Sequence, residues 1–142
     1  MSGAQRVRET AVRMLFQWEM SKEPPETVKR LYWRSAKAAP GVRQAAEALF
    51  DGVLAQIEAI DPLIRRHAEH WRLERMSAVD RNILRLAIYE FLARDVSAKV
   101  VIHQAVEIAH RYSSADAGAF INGVLDAVRK AIHAEDRTPS KR

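Results

Sequence analysis

Apolar residues recur along most of this chain every three or four positions, which is the spacing of one face of an α-helix. The first stripe predicts a helix over about residues 4–20, with these side chains facing inward: Val7, Ala11, Met14, Leu15 and Trp18. Pro24 and Pro25 follow, and proline cannot donate to the helical hydrogen-bond ladder. A shorter and more polar helix is predicted from Glu26 to about Lys37, before the Pro40-Gly41 break.

A third apolar stripe runs across four turns and predicts a third helix, with these residues inward: Leu49, Phe50, Val53, Leu54, Ile57 and Ile60. Asp61-Pro62 then has the pattern of an N-cap followed by the first helical residue. Aspartate at the cap satisfies a free amide, and proline presets the helical φ angle. A fourth helix is therefore predicted from Pro62 to about Trp71.

The fifth helix is predicted to be the central one. Ser77 followed by Asp80 resembles a capping box, in which an acid at the third helical position reaches back to the cap amide. Residues 83–93 are apolar almost all round, with only Arg85 and Glu90 interrupting them. A helix that is apolar on every side belongs in the middle of a bundle.

Two further helices complete the predicted fold, one capped by Ser97 and one beginning at Ser113-Ser114. No strand-like alternation of useful length is found. The pattern predicts an all-α bundle of about seven helices in a single domain, residues 1–134, with the Pro40-Gly41 break as a candidate boundary between two subdomains. Residues 135–142 form a polar tail that we expect to be disordered.

Composition narrows the protein class. The 142 residues fit one domain, and 48% hydrophobic with 29% charged residues is typical of a globular chain. The absence of cysteine excludes disulfides, thiolate metal sites and cysteine nucleophiles. No apolar run approaches the roughly 18 residues that span a bilayer, and no signal peptide is seen, so we expect a cytoplasmic protein with no membrane partner.

The net charge of +5 is concentrated at the two ends. Residues 1–37 carry eight Lys or Arg against four acids, residues 38–128 carry ten against twelve, and residues 129–142 carry five against two. This distribution favours a polyanionic partner that meets the ends of the chain. The alternative is a solvated basic surface.

Sites for enzyme chemistry are sparse. The five glycines are scattered, so no P-loop or dinucleotide fingerprint can be assembled, and no cofactor is predicted. His67 and His70 are three residues apart and would face one metal ion on a helix, with Glu69 or Glu74 nearby, as in a metal-dependent hydrolase. Among so many charged neighbours a solvated helix face is the preferred interpretation. We therefore predict no metal site and no catalytic residue.

Four sequence blocks resemble the NusB family of transcription antitermination factors. The strongest are VDRNILRLAIYEF at residues 79–91 and FINGVLD at residues 120–126. Val106-Glu107-Ile108-Ala109 before Tyr112-Ser113, and residues 8–18, occur in the matching order. The resemblance extends from about Arg6 to Arg129, and the combination of blocks makes it specific.

The resemblance implies both a fold and a function. NusB proteins consist of two small helical bundles packed together, which implies sub-bundles over about residues 4–72 and 77–134 of this chain. They bind the single-stranded boxA element of ribosomal RNA leader transcripts together with NusE, a small-subunit ribosomal protein. The pair joins a complex on RNA polymerase that suppresses premature termination. Some members self-associate, so a homodimer is an alternative. Some ribosomal RNA methyltransferases carry a NusB-like domain, but 142 residues leave no room for their catalytic part.

The resemblance also implies site residues. The positions that meet RNA in the family correspond to Arg6, Arg8, Phe16, Asp116 and Phe120, and those that meet NusE to Glu74, Asp80 and Arg85. The family often has a denser arginine run where Gln5 and Val7 stand here, which implies weaker RNA binding or greater dependence on NusE.

Each of these residues has a structural alternative. In these alternatives Arg6 and Arg8 are solvated charges, and Phe16 and Phe120 fill the core. Asp80 would cap its helix, and Asp116 would complete a capping box with Ser113. Arg85 is otherwise a polar break in a buried helix. Gly123 is expected at a close helix contact, because glycine costs roughly 1 kcal/mol against alanine inside a helix. A helical adaptor that binds only protein is the competing function.

Overall fold

A computed structural model describes residues 2–69 and 71–137 of the chain. These residues form seven α-helices, one short 3₁₀ turn at Leu73–Arg75, and no strand. The helices are α1 (Gly3–Ser21), α2 (Pro25–Ser35), α3 (Pro40–Ala55), α4 (Ile57–His67), α5 (Ala78–Ala93), α6 (Ala98–Tyr112) and α7 (Ala117–Arg137). The predicted all-α class is confirmed.

Serine residues cap the starts of four helices. The hydroxyl oxygens of Ser2, Ser77, Ser97 and Ser114 each accept a hydrogen bond from the amide three residues later, at 3.1, 3.1, 3.4 and 3.2 Å. Each bond satisfies one of the amides that a helix start leaves without a partner. Ser77 and Ser97 are the caps predicted for α5 and α6.

The predicted boundary between the third and fourth helices is wrong. The break lies at Gln56, and α4 runs through Asp61 and contains Pro62. Proline removes one bond of the helical ladder there. Packing outweighs that loss, because Ile60 and Ile64 are both fully buried one turn apart, and the Asp61 carboxylate binds Arg85 instead of capping a helix.

Helix ends differ from prediction at three other places. Helix α2 ends at Ser35, two residues before Lys37, and α4 ends at His67 instead of near Trp71. Helix α7 continues to Arg137, so residues 135–137 are helical although we expected disorder there. The remainder of the predicted tail, residues 138–142, lies outside the described residues.

Helix α5 is the central element, as its sequence predicts. It packs against α1, α3, α4, α6 and α7, and residues 82–88 are all buried. The buried side chains of all seven helices belong to one continuous hydrophobic core, into which α1 inserts Ala11, Met14 and Leu15. The division into a first small bundle of α1 to α4 and a second of α5 to α7, at residues 72–77, stays a prediction.

Glycine permits a close approach at positions other than the expected one. A Cβ atom on Gly52 of α3 would lie 2.3 Å from Cζ of Tyr89 on α5, and one on Gly118 of α7 would lie 2.3 Å from Nε2 of His110 on α6. Around Gly123 nothing comes within 4 Å of that position. The close contact expected at Gly123 is therefore wrong.

None of the helices within the described ranges is both long enough and apolar enough to cross a membrane.

Candidate nucleic-acid interface

The outer face of α1 carries cations at helical spacing. Arg6 and Arg13 are exposed, and Thr10 lies between them, so the three share one face on the side away from Ala11 and Met14. Ser2 caps this end of the helix. Arg6 is therefore placed at the surface, as expected for a residue that meets RNA.

A groove of about 310 Å³ runs beside this face, between α1, the α2–α3 connection and the end of α6. We call it the N-terminal groove; it is lined by Arg6, Glu9, Thr10, Arg13, Lys37, Ala38, Ala39, Val42, Arg111 and Tyr112. Four of these residues are cations and one is an acid. The N-terminal groove is therefore electropositive, a property that favours a polyanion.

The single acid in the groove is already satisfied. Glu9 is 5% exposed and accepts hydrogen bonds from Nε2 of Gln5 at 3.1 Å and from the Tyr112 hydroxyl at 2.7 Å. Nη1 of Arg111 lies 3.3 Å from its other oxygen. Because these donors hold the carboxylate inward, it offsets little of the positive charge that Arg6, Arg13 and Lys37 present.

Tyr112 lines the N-terminal groove and contacts both Arg13 and Glu9. Its hydroxyl accepts a hydrogen bond from Arg13, whose guanidinium carbon lies 5.1 Å from the centre of the tyrosine ring. Burial and the hydrogen bond to Glu9 raise the pKa of Tyr112 above its ordinary value of 10.0. The phenol therefore stays protonated at neutral pH and adds no negative charge.

Arg8 lies on the opposite side of α1. It is 7% exposed, and its guanidinium donates two hydrogen bonds to Glu90 of α5, at 2.8 and 2.9 Å. A buried and fully paired guanidinium is not presented to a ligand, and separating the pair would leave a buried charge. In this structure Arg8 joins α1 to α5, a geometry that disfavours an RNA contact; that Arg8 meets RNA stays a prediction.

Phe16 is exposed beside the cationic face. Its exposed fraction is 39%, and it follows Arg13 by three residues, so the two are neighbours on the helix surface. This exposure does not fit the alternative in which the Phe16 ring fills the core. An exposed aromatic ring next to a guanidinium is suited to stacking on an unpaired base.

Asp116 and Phe120 lie where α7 begins, four and eight residues after Tyr112. Ser114, not Ser113, caps this start by accepting from the Ala117 amide at 3.2 Å, so the alternative capping box is not formed. Asp116 is exposed, and its backbone carbonyl accepts from the Phe120 amide at 3.2 Å. Phe120 is half-buried against the core.

Trp71 extends this site and was missed from the sequence. Its indole is 57% exposed and meets the Phe120 ring at a centroid distance of 5.7 Å with an interplanar angle of 61°. The two rings form what we call the aromatic patch. The sequence signal that could have indicated Trp71 is a tryptophan among charged residues just after a helix.

The three residues expected to meet NusE are placed differently from one another. Glu74 is exposed, and its Oε1 lies 3.1 Å from Nη2 of Arg65. A hydrogen bond from its own backbone amide lowers the pKa of Glu74, and the hydrogen bond from Arg65 lowers it further. Asp80 is half-buried in the first turn of α5, and its Oδ1 has no hydrogen-bond partner among the described residues. Both lie near the 3₁₀ turn that precedes α5.

Arg85 is internal. It is 7% exposed and donates hydrogen bonds to Asp61 at 2.9 Å, Glu19 at 2.7 Å and Asn82 at 3.1 Å. This geometry disfavours a contact of Arg85 with a partner protein, because its donors bind inside the molecule, and that contact stays a prediction. The alternative, a polar position in a buried helix, fits it.

These contacts belong to a network that joins α1, α4 and α5. Glu19 of α1 binds both Arg81 and Arg85 of α5. Burial alone would raise the pKa of Glu19, but the hydrogen bonds and charges of the two arginines outweigh burial and hold its pKa below the ordinary 4.5. Glu19 is therefore ionised at neutral pH and ties the two bundles together.

The alternative metal site would use His67 and His70. Within the part of the chain that the structure describes, no three His, Cys, Asp or Glu side chains are grouped so as to hold a metal ion. His67 is half-buried with its Nε2 unpartnered, and His70 lies outside the described residues.

Comparison with known proteins places most of the chain in one protein family. The NusB family matches residues 5–130. The transcription antitermination protein NusB of Koribacter versatilis is 47% identical over 135 residues, covering 94% of this chain and 92% of that protein. NusB of Solibacter usitatus is 38% identical over 143 residues, covering 99% and 98%.

A solved structure agrees with the sequence comparison. The crystal structure of antitermination factors NusB and NusE in complex with double-stranded RNA superposes with a TM-score of 0.81 and 29% sequence identity, covering 92% of this chain and 98% of that chain.

Proposed function

The chain belongs to the NusB family of transcription antitermination factors, and we propose that it binds boxA-type RNA of ribosomal RNA leader transcripts together with NusE in the cytoplasm. It is a transcription factor, not an enzyme. The complex with NusE then joins the antitermination assembly on RNA polymerase and supports processive ribosomal RNA transcription.

The N-terminal groove is the observation that carries this proposal. Arg6, Arg13, Lys37 and Arg111 come from three different parts of the chain and converge on one concave surface. Arginine forms strong charge-assisted bonds to phosphate oxygens and also stacks on unpaired bases. A single RNA strand in the groove would find backbone contacts along α1 and the α2–α3 connection.

Aromatic side chains outside the groove lining are assigned the base contacts. Phe16 lies on α1 beside Arg13, and the aromatic patch of Trp71 and Phe120 lies at the start of α7. Stacking of one base on an aromatic ring is worth about 1–3 kcal/mol and tolerates any base. Asp116 would repel phosphate, so we assign it a hydrogen bond to a base or a sugar.

NusE is proposed to bind near the start of α5, where Glu74 is exposed and Asp80 half-buried. The solved relative that holds both NusE and RNA supports two partners on this fold. Charged groups at an interface rim give orientation more than affinity. With Arg8 internal, the first turns of α1 present fewer cations than the sequence suggests, which makes NusE more important for tight RNA binding.

The test is fluorescence anisotropy of a labelled boxA-like RNA, with and without NusE, at several salt concentrations and against a scrambled RNA. Tighter and sequence-selective binding in the presence of NusE is expected. The double variant Arg6→Gln with Arg13→Gln should reduce the logarithmic salt slope by about 1.4, since each phosphate contact on a single strand contributes about 0.7.

A matched control removes the same charge elsewhere. Lys99 and Lys130 are exposed and line no part of the N-terminal groove, so Lys99→Gln with Lys130→Gln should leave the slope nearly unchanged. Equal effects of both double variants would mean that net charge, not the groove, sets affinity. Binding to NusE without any RNA preference would instead indicate the protein-only adaptor.

A further inference from the structure

Helix α2 presents a second set of cations outside the N-terminal groove. Arg30 and Arg34 are four residues apart and exposed, on the face opposite the buried Val28 and Tyr32. Residues 22–45 contain six Lys or Arg and two acids, which makes this the most basic stretch of the first half of the chain.

These cations are not used for internal structure. Their neighbour Lys29 is, since its ammonium group binds Glu26 and Asp51, each at 3.0 Å. Arg30, Arg34 and Lys37, in contrast, form no ion pair with any described residue. Like charges four residues apart weaken a helix by a few tenths of a kcal/mol. Arg34 in the last turn interacts favourably with the helix dipole, but helix stability gives no reason for Arg30.

The cations on α2 are continuous with the proposed RNA site. Lys37 lines the N-terminal groove, and Arg34 precedes it by three residues in the last turn of α2. A strand leaving the groove past Lys37 would next meet Arg34 and then Arg30, one helical turn further along. No exposed acid on α2 interrupts that route, because its only acid, Glu26, lies at the far end of the helix.

The route offers backbone contacts and no base contacts. The nearest aromatic ring is Trp33, which is half-buried, donates its indole N–H to Glu47 at 2.8 Å, and is covered by the Arg43 guanidinium 5.1 Å from the ring centre. A ring engaged in this way is not free to stack on a base. Contacts to phosphates position a nucleic acid without reading its sequence.

We propose that Arg30, Arg34 and Lys37, which we call the α2 strip, bind backbone phosphates of RNA that flanks the segment held in the N-terminal groove. This inference rests on the proposed function, because it extends the same RNA along the surface. Because Arg8 is buried, α1 presents one cation fewer at its surface, and the α2 strip supplies positive charge in its place. Its ligand is single-stranded RNA of any sequence.

The experiment compares a minimal boxA-like RNA with the same RNA extended by unstructured nucleotides on both sides. Affinity and salt slope are measured by anisotropy in the presence of NusE, for the unmodified protein and for Arg30→Gln with Arg34→Gln. The affinity of each protein for NusE is measured separately without RNA. The unmodified protein should bind the extended RNA several-fold more tightly than the minimal one. The variant should lose that advantage, with a slope lower by about 1.4 on extended RNA and unchanged on minimal RNA.

Two controls separate the possible failures. Lys99→Gln with Lys130→Gln should keep the length advantage, and circular dichroism should show that every variant retains its helices. Equal affinity of the unmodified protein for both RNAs, or a variant that keeps the advantage, overturns the α2 strip and leaves the groove standing. Absence of binding to either RNA overturns the proposed function itself. A variant that loses only NusE affinity assigns the strip to protein.

Discussion

At the scale of single residues, Glu19 illustrates how an internal charge links stability to pH. Its carboxylate has a pKa below 4.5 in the folded state because Arg81 and Arg85 outweigh the effect of burial. A lowered folded-state pKa contributes stability above the unfolded value, and that contribution is lost as the pH falls through the folded value. Glu19→Gln should therefore reduce the free energy of unfolding by about 2 kcal/mol at neutral pH, and by less as the pH falls through the folded-state pKa of Glu19.

Urea denaturation at several pH values measures this difference. Glu26→Gln is the matched control, because Glu26 is exposed and pairs only with Lys29 at the surface, where such pairs contribute about 0–1 kcal/mol. If the two variants lost the same stability at every pH, the network of Glu19 would have no special role.

Residue type alone did not determine which arginines face outward. Arg6 and Arg8 are two positions apart in the sequence, yet Arg6 is exposed and Arg8 binds Glu90, which is 82 residues away. Arg85 is likewise directed to Asp61 and Glu19. Their partners come from distant parts of the chain, so periodicity showed which face of the helix they occupy but not what they bind there.

At the scale of helices, two glycines predict opposite effects of the same change. Gly52→Ala brings a methyl group to within 2.3 Å of Tyr89, whose rigid ring must move, so we expect a loss of about 1–3 kcal/mol. Gly123→Ala meets nothing within 4 Å and removes a flexible residue from α7, so we expect a gain of up to about 1 kcal/mol. Thermal denaturation of both variants checks the pair, and destabilisation by Gly123→Ala would show a contact that the structure lacks.

Most helices could be predicted, but several of their ends and the boundary between α3 and α4 could not. Serine caps and proline breaks are local signals, and at Ser77 and Ser97 they determine where α5 and α6 begin. Asp61-Pro62 carries an equally clear local signal, and there α4 continues through it. The burial of Ile60 and Ile64 depends on packing against other helices, and sequence spacing does not measure its strength.

At the scale of the whole molecule, the two bundles should unfold together. Helix α1 belongs to the first bundle but packs against α5 of the second, and the Arg8–Glu90 and Glu19–Arg81 pairs cross between them. We expect a single urea transition with coincident far-UV and near-UV circular dichroism curves. Two separated transitions would mean that the bundles are independent domains.

The site as a whole was only partly predictable. Arg6, Phe16, Asp116 and Phe120 follow from the family resemblance, and the structure places all four at or near the surface. Lys37, Arg111 and Tyr112 were not anticipated, because they are far from α1 in the sequence and converge on it only when the α2–α3 connection and the end of α6 pack beside it.

The position of Trp71 makes its intrinsic fluorescence a probe of binding at the proposed interface. Trp18 and Trp33 are half-buried, whereas Trp71 is 57% exposed and touches Phe120, at one edge of the proposed interface. Replacing the first two tryptophans with phenylalanine would leave a single emitting indole there. Its emission would then follow the arrival of RNA or NusE at this edge in unlabelled protein, one partner at a time and in real time.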